Sequence, residues 1–568
     1  MNTKRILLIG ITLLIVLVLI IGCKPATPAE PDVQPEEAQT TEEEAVSEEV
    51  EAEAAEPIVL RVGGLSDIDG WNPWSNTSPY TLGSLVLEGF TDRGPASEGF
   101  PAVPKLADSW EVSEDGLIWT IHLHEGITFS DGTPVDANTV KEYLDWLRNE
   151  EMLFGYFASI TNMVSVEVID DLTLQYTNAE PMVSSADHDF PVMYILPPYI
   201  WSELGEDLYM FDNAEMIGTG PYVIAEYVPG SHIIFDARED YYRGKPIVDR
   251  IIYTIYSNSD ALVNALISGE VDLTMPDLTP EVLDALGENP NITIKENFPL
   301  GTFDLAFNMT DSGTGHQALK DPAVRLAIDQ AIDKHQIVDV VFLGHATAGP
   351  TNWAVGPYYD GKLNPDLTMT PFNLDVARQT LEDAGYFDTD GDGVRETPEG
   401  EPLEFRLIYA TDYATSLTMT EMIADWLSEA GIKVDIEAVD LGTWFYTVLD
   451  ERDYDMAIDQ RLSDTDPVAM ESWLSIWATE GFSTTGGSNP ELDDFIYGYM
   501  YSADEDVRQE MIYEAQRILN EERWFITLAG PHKIQAYRND RFIFPEDVTH
   551  VDIGVLAPEG VLNVKVVK

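Results

Sequence analysis

Apolar positions along this chain change period in a way that marks out its elements. In GLIWTIHLHEG, Leu117, Trp119, Ile121 and Leu123 recur at every second residue, which predicts a strand with one buried face. DANTVKEYLDWLR follows, with Val140, Tyr143, Leu144 and Leu147 at helical spacing. ALVNALISGEVDL predicts a short helix stopped at Gly269 that leads into a strand. In KDPAVRLAIDQAI, Asp321 has the chemistry of an N-cap, Pro322 takes the first helical position, and Val324, Ala327, Ile328 and Ala331 form the buried stripe. MTEMIADWLSEAGIKVDIEAV repeats the theme: Met419, Met422, Ile423 and Trp426 on a helix, then Gly431, then alternating Ile432, Val434 and Ile436. Helix and strand signals alternate throughout, which predicts a mixed α/β protein without short solenoid-like repeats. At 568 residues the chain exceeds one ordinary core, so two or three domains are expected.

The N-terminus carries a different pattern. Lys4 and Arg5 precede an apolar run from Ile6 to Ile21, the layout of a secretory signal. The run is marginal for a membrane span, which takes ~20 apolar residues. LIIGC, Leu19 to Cys23, resembles a bacterial lipoprotein signal, which implies cleavage before Cys23 and lipidation of its thiol. The alternative is an uncleaved anchor, and both readings hold the remainder at the membrane, outside the cytoplasm. Lys24 to Pro57 is rich in Pro, Glu, Ala and Thr and has almost nothing to bury, so a disordered, self-repelling tether is expected. Cys23 is the single cysteine, which excludes an intrachain disulfide and a CxxC metal or redox site.

Charge narrows the partners. The chain has 101 Asp plus Glu against 31 Lys plus Arg, a formal net charge of −70. The tether contributes only 12 of those acids, so the excess belongs mainly to the body. Such a field repels nucleic acid and anionic lipid and favours cations. It also makes the folded state repel itself, so stability is expected to depend on salt or divalent ions; a saline habitat fits this composition.

One acidic stretch has a specific spacing. DTDGDGVRETPE, Asp388 to Glu399, matches an EF-hand calcium loop: Asp388, Asp390 and Asp392 at positions 1, 3 and 5, Gly393 at 6, the Val394 carbonyl at 7, Glu396 at 9 and Glu399 at 12. Calcium takes six to eight hard oxygens, and this spacing supplies them. A sensor would place a helix on each side, whereas here NLDVARQTLEDAGYF predicts a helix before the loop and PLEFRLIYA a strand after it. The expectation is a structural Ca2+ staple.

The order of several segments resembles the family 5 extracellular solute-binding proteins of ABC importers, the oligopeptide-, dipeptide- and nickel-binding type. They are Ser109 to Val140, Gly218 to Ile251, Ala265 to Leu273 and Asp321 to Ala346, within a likeness running from about Leu60 to about Phe544. One departure is Arg238, where the family usually has Asn; that segment reads as surface. The resemblance implies a two-lobed periplasmic-binding-protein-like fold with a hinge. Lobe I would span 58–300, with a subdomain inserted at about 101–214, and lobe II 301–528, with 529–568 returning to lobe I. The chain would cross near GTFDLAFNMT and again near RWFITLAGPHK.

Function follows from the same resemblance: a lipid-anchored monomeric receptor that encloses a solute between its lobes and delivers it to an ABC permease. In peptide-binding members an Asp pairs with the peptide's α-ammonium, and Asp464 and Asp466 are the matching positions. That segment is one residue shorter than in typical peptide binders, since Asp464 stands three before Pro467. Arg461 offers an alternative contact to a carboxylate or a sugar hydroxyl. Trp71, Asn72 and Trp74 near one lobe start and Trp353 near the other are further candidates, with buried core as the competing reading. An oligosaccharide or a nickel chelate remains open as ligand. No GxSxG, HExxH, P-loop or dinucleotide motif supports an enzyme. His122 and His124 share a strand face that reads as solvated.

Overall fold

The computed structural model describes residues 56–567 apart from 69, 75–81, 96–97, 99–100, 151–157, 298–300, 312, 350–360, 463–466, 468–473, 476–482 and 547–553. Within Pro57–Lys568, a single compact unit, two large sheets organise the chain. The seven-stranded sheet runs Ile292–Asn297, Lys533–Arg538, Leu273–Thr274, Val59–Gly64, Arg250–Ile255, His232–Ala237, Tyr222–Val228. The six-stranded sheet runs Ala346–Thr347, Phe525–Pro531, Gly301–Phe307, Met456–Leu462, Glu404–Ala410, Lys433–Val439. A four-stranded antiparallel sheet, Ala107–Val112, Ile118–Leu123, Thr173–Asn178 and Met163–Asp170, lies within the segment expected to be inserted in lobe I.

The crossings between the large sheets are short. Ile292–Asn297 edges the first sheet, and the next strand in the chain, Gly301–Phe307, lies inside the second. The return passes from Phe525–Pro531 to Lys533–Arg538 with only His532 between them. The sheet pairings therefore put the second boundary at His532, inside RWFITLAGPHK and a few residues past 528/529.

Local chemistry accounts for the elements. Asp136 caps the helix Ala137–Leu147 by accepting from the Asn138 and Thr139 amides, and Val140, Tyr143, Leu144 and Leu147 are its buried face. Asp321 accepts from Ala323 N at the start of Pro322–Ala331. Gly431, at φ 88°, ends the helix Ser416–Ala430 in the left-handed conformation that glycine adopts without strain. That helix is the crossover between the parallel strands Glu404–Ala410 and Lys433–Val439. Its face, Met419, Ile423 and Leu427, packs with Phe303, Leu305, Val324 and Ile328 in the lobe II core.

Two expectations change. Ile436 was expected inside, but it is 41% exposed. Lys433–Val439 is the sheet's edge strand, and Lys433, Asp435 and Glu437 leave it charged as well, which discourages pairing with another chain. Arg238 is not a surface residue either. It is buried, donates to the carbonyls of Thr128, Phe129, Gly218 and Gly220, and pairs with Asp240 at 3.2 Å. Such a fan of donors ties the loop at 128–129 to the strands around Tyr222, a task that a shorter Asn could not reach.

One ionic knot among the described residues of lobe II centres on buried Asp329. Lys334 Nζ lies 2.9 Å from its Oδ1, Arg523 Nε donates to Oδ2 at 3.1 Å, and the Thr370 hydroxyl also donates to Oδ2. Burial pushes this carboxyl up, but Lys334, Thr370 and Arg523 outweigh it and hold it below the ordinary value. Replacing Asp329 by Ala strands two cations and is expected to cost about 3–5 kcal/mol in urea unfolding. Because the folded-state pKa is depressed, the wild-type contribution is present above about pH 4 and is lost as pH falls through the lowered value. The D329A variant should lack that acid limb.

Candidate functional site

Strand alternation gives the lobe II sheet two unlike faces. Phe303, Leu305, Phe307, Met456, Ile458, Ile526 and Leu528 point into the helix-covered core. Thr302, Asp304, Asp459, Arg461 and Thr527 fall on the opposite face, because Thr302 pairs with Arg461 and Asp304 with both Asp459 and Thr527. Arg461 Nε lies 2.9 Å from Asp459 Oδ2 and 3.8 Å from Asp304 Oδ2. Its Nη2 donates to Thr484, whose hydroxyl donates to Asp459 at 3.2 Å. Thr302 donates to Asp304 Oδ2 at 3.2 Å. Asp304 is fully buried, whereas Arg461 retains 18% side-chain exposure. Burial lifts the Asp304 carboxyl to about 7, with Asp459 adding to the rise and Arg461 opposing it.

At the hinge, one carboxylate bridges both sides of the crossing. Glu296 Oε1 accepts from His345 Nδ1 at 2.8 Å and from His532 Nδ1 at 2.6 Å. Burial works against its ionisation, but the two imidazoles hold the carboxyl below its usual range. His532 also meets Thr347 through Nε2 at 2.8 Å and donates its backbone N–H to His345 O. Glu296 belongs to the seven-stranded sheet, and Thr347 pairs with the six-stranded one.

The segment expected as an inserted subdomain also packs against helices of the second half of the chain. Met182, 1% exposed, belongs to the apolar cluster of Ile496, Tyr499, Met500, Ile512 and Ala515 on the helices Pro490–Met500 and Glu505–Glu522. Gly116, at φ +73°, presses on the same contact: a Cβ there would lie 2.9 Å from Pro181 Cβ and 3.1 Å from Ala503 Cβ.

The acidic loop joins the helix Leu374–Asp383 to the strand Glu404–Ala410, as its flanking sequence predicts. Asp388, Asp390, Asp392 and Glu396 bring carboxylate oxygens within 4.8 Å of one another. Asp388 accepts from the Gly391 and Gly393 amides, Asp390 from Asp392 N, and Asp392 from Val394 N. Glu399 is not part of the cluster, a correction to the EF-hand spacing. The bridges Phe387–Glu396 and Glu396–Pro402 fold the chain back before position 12, leaving Glu399 exposed on the turn and making Glu396 the fourth carboxylate. Buried Arg395 anchors this turn by donating to Ala430 O, Tyr386 O and Glu382 Oε1.

The other predicted residues divide. Trp71 is buried edge-on to Tyr227, with ring centroids 5.7 Å apart, and Trp74 is buried with it in the lobe I core. Asn72 donates to Leu208 O and Phe211 O and accepts from Trp74 N, so its amide is engaged inside the protein. The arrangement around 71–74 is a packing device, because the polar atoms of Asn72 bond the backbone of Trp74 and of the distant segment 208–211. Trp353, Asp464, Asp466 and Cys23 lie outside the described residues. Sequence reasoning missed Asp304, Asp459, Glu296, His532 and Met182. A signal was present at Asp304: a lone carboxylate within the apolar run GTFDLAF. Met182 carried none, because its neighbours come from helices some three hundred residues away.

Two sheets joined by short double crossings, with a clasp at the hinge and apolar contact between the lobes, define a two-lobed binding protein. The chain matches the bacterial extracellular solute-binding proteins, family 5 Middle, over residues 102–481, and it belongs to that family of substrate-binding receptors of ABC transporters. It is 26% identical to di/tripeptide-binding protein 2 of Pseudomonas aeruginosa, over 86% of this chain and 92% of that protein. It is 24% identical to the nickel-binding periplasmic protein of Escherichia coli, over 75% of this chain and 80% of that one. Its fold superposes on the periplasmic oligopeptide-binding protein of Thermotoga maritima, solved with mannohexaose, at a TM-score of 0.76 and 20% identity, covering 90% and 99% of the two chains. Homologues are extracytoplasmic, and among the described residues no helix is long and apolar enough to cross a membrane.

Met182→Ala is expected to weaken the closed arrangement by about 2 kcal/mol, the low end for losing a buried Met. Small-angle scattering of the ligand-free protein should show a larger radius of gyration. An unchanged radius with a lowered melting temperature would make Met182 core packing only.

Proposed function

We propose that the protein is the membrane-anchored receptor of an ABC importer and that it captures di- and oligopeptides between its lobes for delivery to a permease. The likeness to a di/tripeptide-binding protein over 92% of that protein's length carries this reading, since it spans both lobes rather than one motif. Closure by hinge motion lets both lobes contribute to affinity, and backbone contacts admit many side chains. The role is that of a monomeric receptor, not an enzyme. Asp464 and Asp466, three and five residues after Arg461 in the chain, are proposed as the carboxylates that meet a peptide's ammonium. The likeness to a nickel-binding protein supports a metal-chelate receptor as the second reading. Native mass spectrometry of protein purified from a rich medium separates them. A ladder of bound short peptides is expected; one discrete mass matching a metal chelate or an oligosaccharide would sink the peptide reading.

Anchoring follows from Cys23 as the lipidated residue. Cys23→Ser is expected to move the protein from the detergent phase to the aqueous phase in Triton X-114 partitioning, and retention in detergent would favour an uncleaved apolar anchor instead.

The acidic loop is proposed as a structural Ca2+ site, held by Asp388, Asp390, Asp392 and Glu396 with the Val394 carbonyl. The donor set is all hard oxygen, which suits calcium and not zinc or nickel. When bound, the ion neutralises carboxylates that otherwise repel one another. Chelation by EGTA is expected to lower the melting temperature by a few degrees and to leave ligand affinity nearly unchanged. Lost binding without lost stability would count against a structural role.

A further inference from the structure

Besides the hinge, the large sheets are joined through a knuckle at one end of the four-stranded sheet. The turn 113–116 links the strands Ala107–Val112 and Ile118–Leu123, and the strand Thr173–Asn178 ends beside Ile118. From Asn178 the chain runs on to Pro181 and Met182. The Met182 N–H donates to Gly116 O at 3.3 Å, and the Asn178 N–H donates to Leu117 O at 2.8 Å. Asn162 holds the stretch between, accepting from Glu180 N at 2.9 Å and donating to Glu180 O at 2.8 Å. Asp115 closes the turn by accepting from the Ser113 hydroxyl at 2.6 Å and from Leu117 N at 3.2 Å. These bonds all lie within the knuckle, so its shape is set before it meets anything else.

It meets the turn between the helices Pro490–Met500 and Glu505–Glu522. Gly116 is buried there, and a Cβ on it would lie 3.1 Å from Ala503 Cβ. Met182 is buried in one cluster with Ile496, Tyr499 and Met500. The two sides belong to different bodies. Trp119 and Tyr176 of the four-stranded sheet share a core with Val62 and Phe235 of the seven-stranded sheet. Ile496 and Met500 share theirs with Ala306 and Phe525 of the six-stranded sheet. A hinge motion that separates the large sheets therefore parts the knuckle from the helices. Seated, Gly116 and Met182 present no surface to a solute.

We propose that this knuckle is a latch that stabilises the closed state without touching the ligand, so that it raises the affinity for every enclosed solute by one common factor and leaves selectivity unchanged. The proposal rests on the two-lobed receptor fold and not on peptide as the ligand. A ligand held by both lobes binds the closed form, and its apparent affinity scales with the fraction of free protein that is closed. Apolar area buried at the seam raises that fraction before any ligand arrives. The net charge of −70 acts the other way, by repulsion between the bodies. An apolar seam offsets that repulsion without drawing on the 31 Lys plus Arg.

Calorimetry with trialanine and trileucine on the intact protein tests the latch. Both probes are zwitterions, so a charge added at the seam acts on them alike. Met182→Asp puts a carboxylate among apolar side chains in the seated state and returns it to water when the knuckle lifts. Affinity for both peptides is expected to fall about tenfold or more, by factors that agree within about twofold. Met182→Ala adds no charge and should lower both by a smaller common factor; it decides the matter if M182D does not fold. Unchanged affinities, or a loss confined to one peptide, overturn the latch. If neither peptide binds the wild type, the peptide reading fails on its own, and the latch is read without ligand. A larger radius of gyration for either variant in small-angle scattering then supports it, and an unchanged radius in both overturns it.

Discussion

Two short passages of chain, Asn297 to Gly301 and Pro531 to Lys533, connect the large sheets, and the rest of the structure depends on keeping them short. The strands on either side of the two passages pair, Ile292–Asn297 with Lys533–Arg538 and Gly301–Phe307 with Phe525–Pro531, so the ends of both crossings meet on one line between the sheets. Glu296 sits on that line and holds two imidazoles, His345 and His532. Any motion that opens the lobes acts on these bonds first, while the sheets, with their own cores, move as bodies. Met182 supplies a second contact between the two halves, with Ile496, Tyr499 and Met500.

Scarce cations explain much of the packing. With 31 Lys plus Arg against 101 acids, this chain places several of them inside. Lys105, Arg238, Arg325, Lys334 and Arg395 are all buried. Arg325 donates to Leu319 O and Glu522 O, closing the end of the helix Glu505–Glu522. Arg395 does the same for the helix that ends at Ala430. Guanidinium groups suit this work because their five donors reach several carbonyls at once. Cations used in the interior leave the acidic exterior less compensated, so an exposed acidic loop and a doubly countered Arg461 are two consequences of one composition.

Sequence reasoning was strongest where one element carries its own evidence. Period located the helices at Ala137–Leu147, Pro322–Ala331 and Ser416–Ala430, with Asp321 as the cap of the second and Gly431 as the stop of the third, because an apolar stripe and a terminal residue are local facts. The order of such segments sufficed for the family. Spacing within Asp388 to Glu399 pointed to an oxygen cluster, of which Asp388, Asp390, Asp392 and Glu396 come together.

Tertiary structure decided what required neighbours distant along the chain. Glu399 left the cluster because two bridges turn the backbone before it. Ile436 became exposed because its strand lies at an edge, and Arg238 became buried because its donors find carbonyls at Thr128 and Gly218. Asn72 proved to be a bracket for Leu208 and Phe211. The charge cluster at Asp304 exists only through the register of three strands drawn from residues 301, 456 and 525 onward. Patterns along a chain specify what each segment wants to bury; which charges then meet in the buried layer depends on the alignment of strands, and that alignment has no signature within any one of them.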